Sequence, residues 1–512
     1  MKYVLEFDML EGEQWYGGKI GDGTKMPVDA SREYTDNSVG PYGDQSSPFF
    51  VSNKGRYIWS EDGYITNFKY GKVKCESDTA EIVLYGGFGT LRGAYLAASK
   101  AHFPPDGNMP PELMFQVPQY CTWIEMFKFQ SEKGILNYAE SILKCGMPAG
   151  EILIDDGWQI DFGNWEFKPR RFKDPKGMVE KLHVMGFKVI LWVVPFISPR
   201  APAFDYLKKN DLLVKDKSGS VAMRKWWDAT SAVLDLSNPR AVEWFVDVAH
   251  ELEKKYGVDG FKQDAADNRF YKKDDITFGN ASPNQQAEFW MRSGLNFTFN
   301  EFRASWKGGG VGVAQRLGDK CHRWQENGGL RALIPNMLLL GLTGHVFGCP
   351  DMIGGGLVSD FNFRPEFLFD HELFIRWSQC SALMPMMQYS YSLWRCRNQK
   401  TAELCRRPTY DHIKYSDYIL KYARAARTTG EPIVRFMEYN YPNDPGAAKA
   451  TQQFMLGEDY IVAPIVRKKT FSREVFLPSG AWKLLHSGET FTGPATITVN
   501  IPIEVLPIFE KV

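Results

Sequence analysis

The stretch AVEWFVDVAHELEKKYGVDGFKQD (241–264) decides the fold, because it contains one complete unit of helix, glycine and strand. Its first part is an amphipathic helical pattern that runs to Tyr256 and is followed by Gly257. Val258 and Phe261 then belong to a short apolar strand, and the strand ends on polar residues. A helix followed by a short apolar strand is the repeating unit of parallel α/β folds.

Three charged residues, Lys262, Asp264 and Asp267, end this strand. Side chains alternate between the two faces of a strand, so Lys262 and Asp264 are expected to be neighbours on one face. One interpretation is a strand that runs out into a solvated loop. A buried ion pair is another, although such pairs are weak evidence for a stabilising role. The remaining interpretation is a functional site.

The same unit occurs elsewhere in the chain. GILNYAESILKCG (134–146) precedes EILIDDGW (151–158), and GMVEKLHVMG (177–186) precedes FKVILWVVPF (187–196). Over some 310 residues this repetition favours a (β/α)8 TIM barrel. Catalytic groups of such a barrel lie at the carboxyl ends of its strands. In this sequence those positions are held by Asp155, Asp156, Trp192 and Asp264.

Strand patterns flank the predicted barrel on both sides. Short alternating runs such as KYVLEFDML and AEIVLYGG fill the first part of the chain, and FPPDGNMPP (103–111) is typical of a linker. Near the end, YIVAPIV, REVFLP and TITVNIPI are again typical of strands. We predict an α/β protein with an N-terminal β-sandwich-like domain (1–112), a catalytic barrel (113–428) and a C-terminal antiparallel β domain (429–512).

Charge and composition restrict the partners of the protein. The 512 residues include 61 basic and 61 acidic side chains, and this balance argues against nucleic acid or a membrane surface as a partner. The 15 Trp, 23 Tyr and 35 Phe are compatible with a large core or with a carbohydrate site. The sequence has no HExxH, P-loop or dinucleotide-binding glycine pattern, so we expect no metal and no cofactor. A homo-oligomer is possible.

The location of the protein is inferred from its start and its cysteines. MKYVLEFDML is strand-like and lacks the features of a signal peptide. The longest apolar run, VILWVVPFI (189–197), is too short to span a bilayer. The eight cysteines are scattered without a CxxC pair, as expected for reduced thiols. We therefore expect a cytoplasmic protein.

Several stretches together resemble glycoside hydrolase family 31. GFKQDAAD (260–267) is similar to the family's nucleophile segment, QRLGDKCHRW (315–324) to its acid/base segment, and GCPDMIGG (348–355) to its glycine-containing turn. ELFIRWSQCSALMPMMQYS (372–390) resembles a helix that usually ends in Arg-x-His, although here Gln-Tyr-Ser stands in that place. The resemblance spans roughly residues 115–512 and is nearest the branch of α-galactosidases and the myogenesis-regulating glycosidase.

The resemblance implies a retaining α-glycosidase in which Asp264 is the nucleophile and Asp319 the acid/base. In such enzymes the two carboxyl groups lie about 5–5.5 Å apart on opposite sides of the anomeric carbon. Lys262 is expected to keep Asp264 ionised and to contact a sugar hydroxyl. An apolar setting beside Trp324 is expected to keep Asp319 protonated as the acid.

Other side chains of these segments are candidates for substrate binding, and each has a simpler explanation. Trp192 and Trp227 are platforms for the sugar or members of the core. Arg316 contacts the sugar or pairs with Asp351, which itself binds substrate or caps a turn. Asp267 contacts a hydroxyl or only holds its loop.

The segment ILIDDGWQ (152–159) bears on the identity of the sugar. Its Asp155, Asp156 and Trp158 are similar to a run in related α-galactosidase families, whose carboxylates bind the axial 4-hydroxyl and the 6-hydroxyl. An N-terminal cap of the next element is the alternative. We expect an exo-acting enzyme for terminal α-galactosides of small oligosaccharides or glycosides. An α-glucosidase, an α-xylosidase and a non-catalytic carbohydrate-binding protein are the other candidates.

Overall fold

The computed structural model describes residues 2–41, 43–361, 369–392 and 399–512. At its centre lies the expected barrel of eight parallel strands. We number these barrel strands 1 to 8 in chain order: Gln119–Cys121, Glu151–Ile154, Lys188–Val193, Gly260–Gln263, Phe299–Phe302, Gln315–Arg316, Gly348–Cys349 and Gln388–Tyr389. The fold class predicted from the sequence is confirmed.

Barrel strands 1 to 7 pair in sequence order, each with the next, and strand 8 pairs with strand 1. In the part of the chain that the structure describes, strands 7 and 8 share no ladder. Near that opening the Ile353 N–H donates to the Gln388 carbonyl at 2.9 Å. The barrel is therefore nearly closed, and the polar ends of its strands meet at one mouth.

The unit that suggested the fold has the expected local structure. Its helix is Pro239–Tyr256, which begins after Asn238, whose side chain accepts from the Arg240 N–H. The helix ends at Gly257, whose φ of +78° suits a residue without a Cβ. Barrel strand 4 follows after three residues, so a short connection turns the chain from the outer helix into the barrel wall.

Barrel strand 4 begins with Gly260, where the backbone lies very close to barrel strand 5. A Cβ at this position would lie 2.0 Å from the carbonyl oxygen of Phe299 in barrel strand 5. Only glycine allows the two backbones to approach so closely. The spacing of strands 4 and 5 at the centre of the barrel therefore depends on this residue.

Helices surround the barrel and bury their apolar faces against it. The longer ones are Glu132–Lys144, Pro175–Val184, Pro239–Tyr256, Pro283–Ser293, Leu330–Leu342, His371–Ala382 and Gln399–Thr429. Leu91–His102 precedes the barrel, and the shorter helices are Leu113–Gln116, Trp123–Met126, Phe204–Lys209 and Met437–Asn440.

Two antiparallel sheets form the N-terminal part. One has the strand order Tyr3–Asp8, Lys72–Ser77, Ile65–Lys69 and Glu33–Asn37. The other contains Gln45–Ser52, Tyr57–Ser60 and Ile82–Tyr85, and Trp15–Lys19 pairs with its first strand. A short strand after barrel strand 5, Ser305–Trp306, pairs with Gln45–Ser46 and ties this sheet to the barrel mouth.

The C-terminal part is one antiparallel sheet of six strands with a core of its own. Its strand order is Val434–Arg435, Phe454–Leu456, Tyr460–Val462, Ile508–Lys511, Ser472–Leu484 and Thr490–Asn500. The side chains of Met455, Ile461, Val475, Trp482 and Phe509 are buried together. The domain boundaries given by the sequence stay predictions.

Small antiparallel sheets lie in the loops at the mouth of the barrel. Gln159–Asp161 pairs with Asn164–Phe167 after barrel strand 2, and Thr230–Val233 pairs with Phe196–Ile197 and Arg224–Lys225 after barrel strand 3.

Within the described ranges, no helix is both long and apolar enough to cross a membrane. The cytoplasmic location and the homo-oligomer stay predictions.

Candidate active site

A cavity of about 400 Å³ opens at the carboxyl ends of the barrel strands. Eight of the ten side chains selected from the sequence line it, and they come from barrel strands 2, 3, 4 and 6 and the loops that follow these strands. They are Asp155, Asp156, Trp192, Trp227, Lys262, Asp264, Arg316 and Asp319. The barrel thus gathers residues that lie up to 164 positions apart (155 to 319) around one space.

The other two selected residues, Trp158 and Asp351, lie behind the cavity wall. Trp158 is fully buried, and its indole N–H donates to the Trp192 carbonyl at 2.9 Å. Asp351 is fully buried and accepts from the Arg316 guanidinium at 2.8 Å and from the Lys320 N–H at 2.6 Å. In this arrangement both residues support the wall from behind.

Asp264 follows barrel strand 4 and is only 9% exposed. Its carboxylate accepts three hydrogen bonds: from the Trp192 indole at 2.8 Å, from the Arg303 Nε at 2.6 Å and from the Ala265 N–H at 2.8 Å. The next two residues, Ala265 and Ala266, both have left-handed backbones, with φ of +59° and +61°. Such conformations are strained for residues with a Cβ and occur preferentially at functional sites.

The electrostatic surroundings favour the ionised form of Asp264. Burial by itself would raise the pKa of this carboxyl group. The charges of Arg303, Lys262 and Arg316, together with the Trp192 hydrogen bond, outweigh burial and lower the pKa well below its usual range. Asp264 is therefore a carboxylate at every physiological pH.

Arg303, which the sequence analysis did not select, is the cation that contacts Asp264. It follows barrel strand 5 and pairs with three carboxylates, those of Asp44, Asp264 and Asp267. The Asp267 contact is 2.9 Å long, and Asp267 is buried beneath the loop. The sequence contains one signal for this residue. Arg303 directly follows the segment FNEF (299–302), and residues that follow a barrel strand lie at the mouth of the barrel.

Lys262 has a different partner from the expected one. Its Nζ donates to Asp155 Oδ2 at 2.7 Å, and both side chains are 3% exposed. The residue lies on the same face as Asp264, and its charge contributes to the lowered pKa of Asp264. Strand alternation predicted the face of Lys262, but Asp155, which follows barrel strand 2, supplies its carboxylate partner.

Asp156 places a buried carboxylate in the cavity wall. Its Oδ1 accepts from the Gln159 amide at 2.8 Å, and its buried Oδ2 forms an ion pair with the Lys128 Nζ at 3.3 Å. Lys128 also pairs with Asp228. Burial raises the pKa of Asp156 and the Lys128 charge opposes this shift. A carboxylate oxygen accepts more than one hydrogen bond, so Oδ2 can also accept from a ligand hydroxyl.

Asp319 lies in a polar setting rather than in the apolar one expected from the sequence. Its carboxylate accepts from the Arg316 Nη1 at 2.9 Å, and its side chain is 35% exposed. The Trp324 indole donates instead to Asp370 at 2.9 Å and does not line the cavity. The loop after barrel strand 6 therefore directs Trp324 away from the site.

A buried network holds Arg316 in place behind Asp319. Its Nε donates to Glu301 at 3.2 Å, and its Nη1 also reaches Asp351. The second oxygen of Glu301 accepts from the Gln388 amide at 2.6 Å. Gln388, which occupies the place of the usual family arginine, thus belongs to the support of Arg316 and not to the cavity wall.

The N-terminal sheet and an exposed tryptophan complete the rim. Asp44, which precedes the strand Gln45–Ser52, lines the cavity and pairs with Arg303. Trp227 is 46% exposed, and the Arg303 guanidinium lies 5.5 Å from the centre of its ring. Trp192, in contrast, is buried. Trp227 is therefore the large aromatic surface that is open to a ligand on this side.

Comparison with known protein families gives one match to the barrel and one to the C-terminal sheet. Residues 107–424 match the glycosyl hydrolases family 31 TIM-barrel domain. Residues 430–512 match the glycosyl hydrolase family 31 C-terminal domain. The first match alone covers more than half of the chain.

Two curated relatives illustrate the range of activities around this chain. The myogenesis-regulating glycosidase of Mus musculus is 28% identical over 418 residues, which are 79% of this chain and 57% of the mouse protein. An alpha-xylosidase of Lactiplantibacillus pentosus is 24% identical over 479 residues, which are 88% of this chain and 60% of that protein. The chain thus spans a little more than half the length of these relatives.

A solved structure with a similar fold is that of a family 31 dextranase of Flavobacterium johnsoniae complexed with glucose. It is 22% identical and superimposes with a TM-score of 0.87, covering 100% of this chain and 66% of the dextranase chain. This likeness supports the fold and not a particular substrate.

Proposed function

The chain belongs to glycosyl hydrolase family 31, and on that basis we propose that it is a retaining, exo-acting α-glycosidase for terminal α-galactosides. The observation that carries the mechanism is the environment of Asp264. A carboxylate that is buried, ionised and held by three donors at the mouth of a barrel has the properties of a glycosidase nucleophile.

In the first step, an Asp264 oxygen attacks the anomeric carbon while the glycosidic bond breaks. The departing oxygen takes a proton from Asp319, so that the alcohol leaves neutral and the sugar stays bound to Asp264 as an ester. In the second step, Asp319 accepts a proton from water, whose oxygen attacks the same carbon and releases Asp264. The configuration is retained because the carbon is inverted twice.

The polar floor of the cavity supports recognition of the sugar. Asp155 is fixed by Lys262, and Asp156 is fixed by Gln159 and Lys128. We assign the axial 4-hydroxyl of galactose to these carboxylates, by similarity to the Asp-Asp-Gly-Trp run of other α-galactosidases. The equatorial 4-hydroxyl of glucose points elsewhere, so a glucoside does not make this hydrogen bond to the carboxylates.

Two alternative functions are compatible with the same cavity. The α-xylosidase from Lactiplantibacillus pentosus is one of the relatives, so an α-xyloside or α-glucoside is the alternative substrate. A non-catalytic carbohydrate-binding protein is the second alternative. The presence of an ionised Asp264 and a partly exposed Asp319 in one cavity favours catalysis over binding alone.

A panel of aryl glycosides with one leaving group tests the sugar assignment. The purified protein is incubated with 4-nitrophenyl α-galactoside, α-glucoside and α-xyloside, and kcat/KM is measured for each. We expect the α-galactoside to exceed the α-glucoside by at least about a hundredfold. A preference for glucoside or xyloside overturns the galactose assignment but leaves the mechanism in place. Binding without cleavage of any of the three favours the carbohydrate-binding protein.

A further inference from the structure

One part of the cavity wall is apolar, unlike the charged floor. It is formed by Trp123, Met352, Leu357 and Val358, which we call the apolar wall. Met352 is buried, whereas Leu357 is 36% exposed and Trp123 is half-buried. None of the hydroxyl-binding roles proposed for the floor uses these four side chains.

The apolar wall lies beside Asp319. A Cβ built on Gly356, next to Leu357 in the chain, would be 2.9 Å from Asp319 Oδ1 and 2.8 Å from the end of the Met352 side chain. The Gly356 and Leu357 N–H groups both donate to the Lys320 carbonyl, at 3.0 and 3.2 Å. The loop after barrel strand 7 is thereby fixed against Lys320, the residue that follows Asp319.

Trp123 is joined to the same loop through its one polar atom. Its indole N–H donates to the Gly356 carbonyl at 3.1 Å. Because this donor is occupied, the ring offers only apolar surface to a ligand. Leu357 and Val358 have no polar side-chain atom, and Met352 has only a thioether sulfur, which is a weak acceptor.

The position of the acid identifies which part of a substrate meets this wall. A general acid must reach the glycosidic oxygen, and the leaving group lies on the far side of that oxygen from the sugar ring. We propose that the apolar wall is the leaving-group subsite and that it selects α-glycosides with an aryl or arylalkyl aglycone. This inference rests on the proposed function, because it takes Asp319 as the acid.

Two substrates with alcohols of similar acidity separate binding from leaving-group chemistry. Benzyl and methyl α-galactoside release alcohols of similar acidity, so both leaving groups need the same protonation. Only the benzyl group has an aromatic ring that can be buried. We expect kcat/KM to be at least about tenfold higher for the benzyl glycoside, from the apolar area of one buried ring. The same pair is measured as α-glucosides and α-xylosides.

A polar substitution in the wall tests the location of the subsite. Leu357→Asn is suitable because the side chain is partly exposed and contributes little to the core. We expect it to lower the benzyl-to-methyl ratio at least threefold, and Val358→Thr to lower it in the same direction. The matched control is Leu295→Asn, at an exposed leucine outside the cavity, which should leave the ratio unchanged.

The outcomes distinguish this inference from the proposed function. A wild-type ratio near one overturns the subsite even when both galactosides are cleaved. A high ratio that appears only with glucosides or xylosides supports the subsite and overturns the galactose assignment. A high ratio that Leu357→Asn and Val358→Thr leave intact places the aromatic ring elsewhere and overturns the assignment of the wall. Cleavage of none of the six glycosides overturns both proposals.

Discussion

At the scale of single residues, the site separates one firmly held carboxylate from one accessible carboxylate. Asp264 is buried and bound by three donors, whereas Asp319 pairs with Arg316 and has a side chain that is 35% exposed. A nucleophile must stay ionised in place, and an acid/base must exchange protons with solvent between the two steps. The two environments suit these different tasks.

Replacing the nucleophile tests the first assignment. Asp264→Ala should lower kcat on an aryl galactoside by more than about a thousandfold. The melting temperature should change little, because Arg303 keeps Asp44 and Asp267 as partners. Azide added to the variant should restore cleavage and give the β-galactosyl azide, which NMR detects. Asp274→Ala, an exposed aspartate of the same loop, is the control that should retain activity.

Replacing the acid/base should give a different pattern. Asp319→Ala should slow alkyl galactosides by about 100-fold to 10,000-fold and activated aryl galactosides much less, since only the alkyl leaving groups need a proton. The measurement is kcat/KM across a series of leaving groups. Glu326→Ala, on the same loop and half exposed, serves as the control. An equal loss for every leaving group would contradict the acid role.

At the scale of secondary-structure elements, the barrel strands position the charged residues of the site, and the packing between strands fixes the distances between these residues. Strands 4 and 5 present Asp264 and Arg303 directly after their last residues, so the distance between these strands sets the ion pair. Gly260 controls that distance through its contact with Phe299.

A methyl group at Gly260 should therefore disturb both stability and the site. Gly260→Ala puts a Cβ against a backbone carbonyl that cannot rotate away, so we expect a loss of about 1–3 kcal/mol or more in the free energy of unfolding. Denaturant unfolding followed by tryptophan fluorescence measures it. Gly21→Ala is the control, since its Cβ would meet only the flexible Lys19 side chain at 3.7 Å. Equal stability of the two variants would show that the strands can separate without cost.

At the scale of the whole molecule, buried contacts tie the two β parts to each other and to the barrel. The Tyr16 hydroxyl, in the N-terminal sheet, donates to Glu438, which follows the first strand of the C-terminal sheet. Asn53 donates to the other oxygen of Glu438 at 2.8 Å. Burial raises the pKa of Glu438, and these hydrogen bonds oppose the shift.

Removing the tyrosine hydroxyl should weaken the whole assembly. Tyr16→Phe leaves one oxygen of a buried carboxyl group without a donor, and we expect a loss of about 1–3 kcal/mol. Differential scanning calorimetry should show a lower melting temperature. The control is Tyr70→Phe, because Tyr70 is 64% exposed. An unchanged melting temperature for Tyr16→Phe would mean that this contact adds nothing to stability.

The sequence by itself determined the barrel, its flanking sheets and eight of the side chains that line the cavity. The reason is that the helix–glycine–strand period and the polar strand ends are local patterns, and a parallel barrel brings every such end to one mouth. Asp155, Asp156, Trp192 and Asp264 were found in this way.

Only the tertiary structure decided which charges pair. Lys262 was expected beside Asp264 but contacts Asp155 across the barrel, and Arg303 takes the place beside Asp264. Trp158, one of the ten selected residues, lies behind the wall, and Asp44 enters from another sheet. Ion pairing depends on distances of a few ångströms between residues far apart in the chain, and no sequence period encodes those distances.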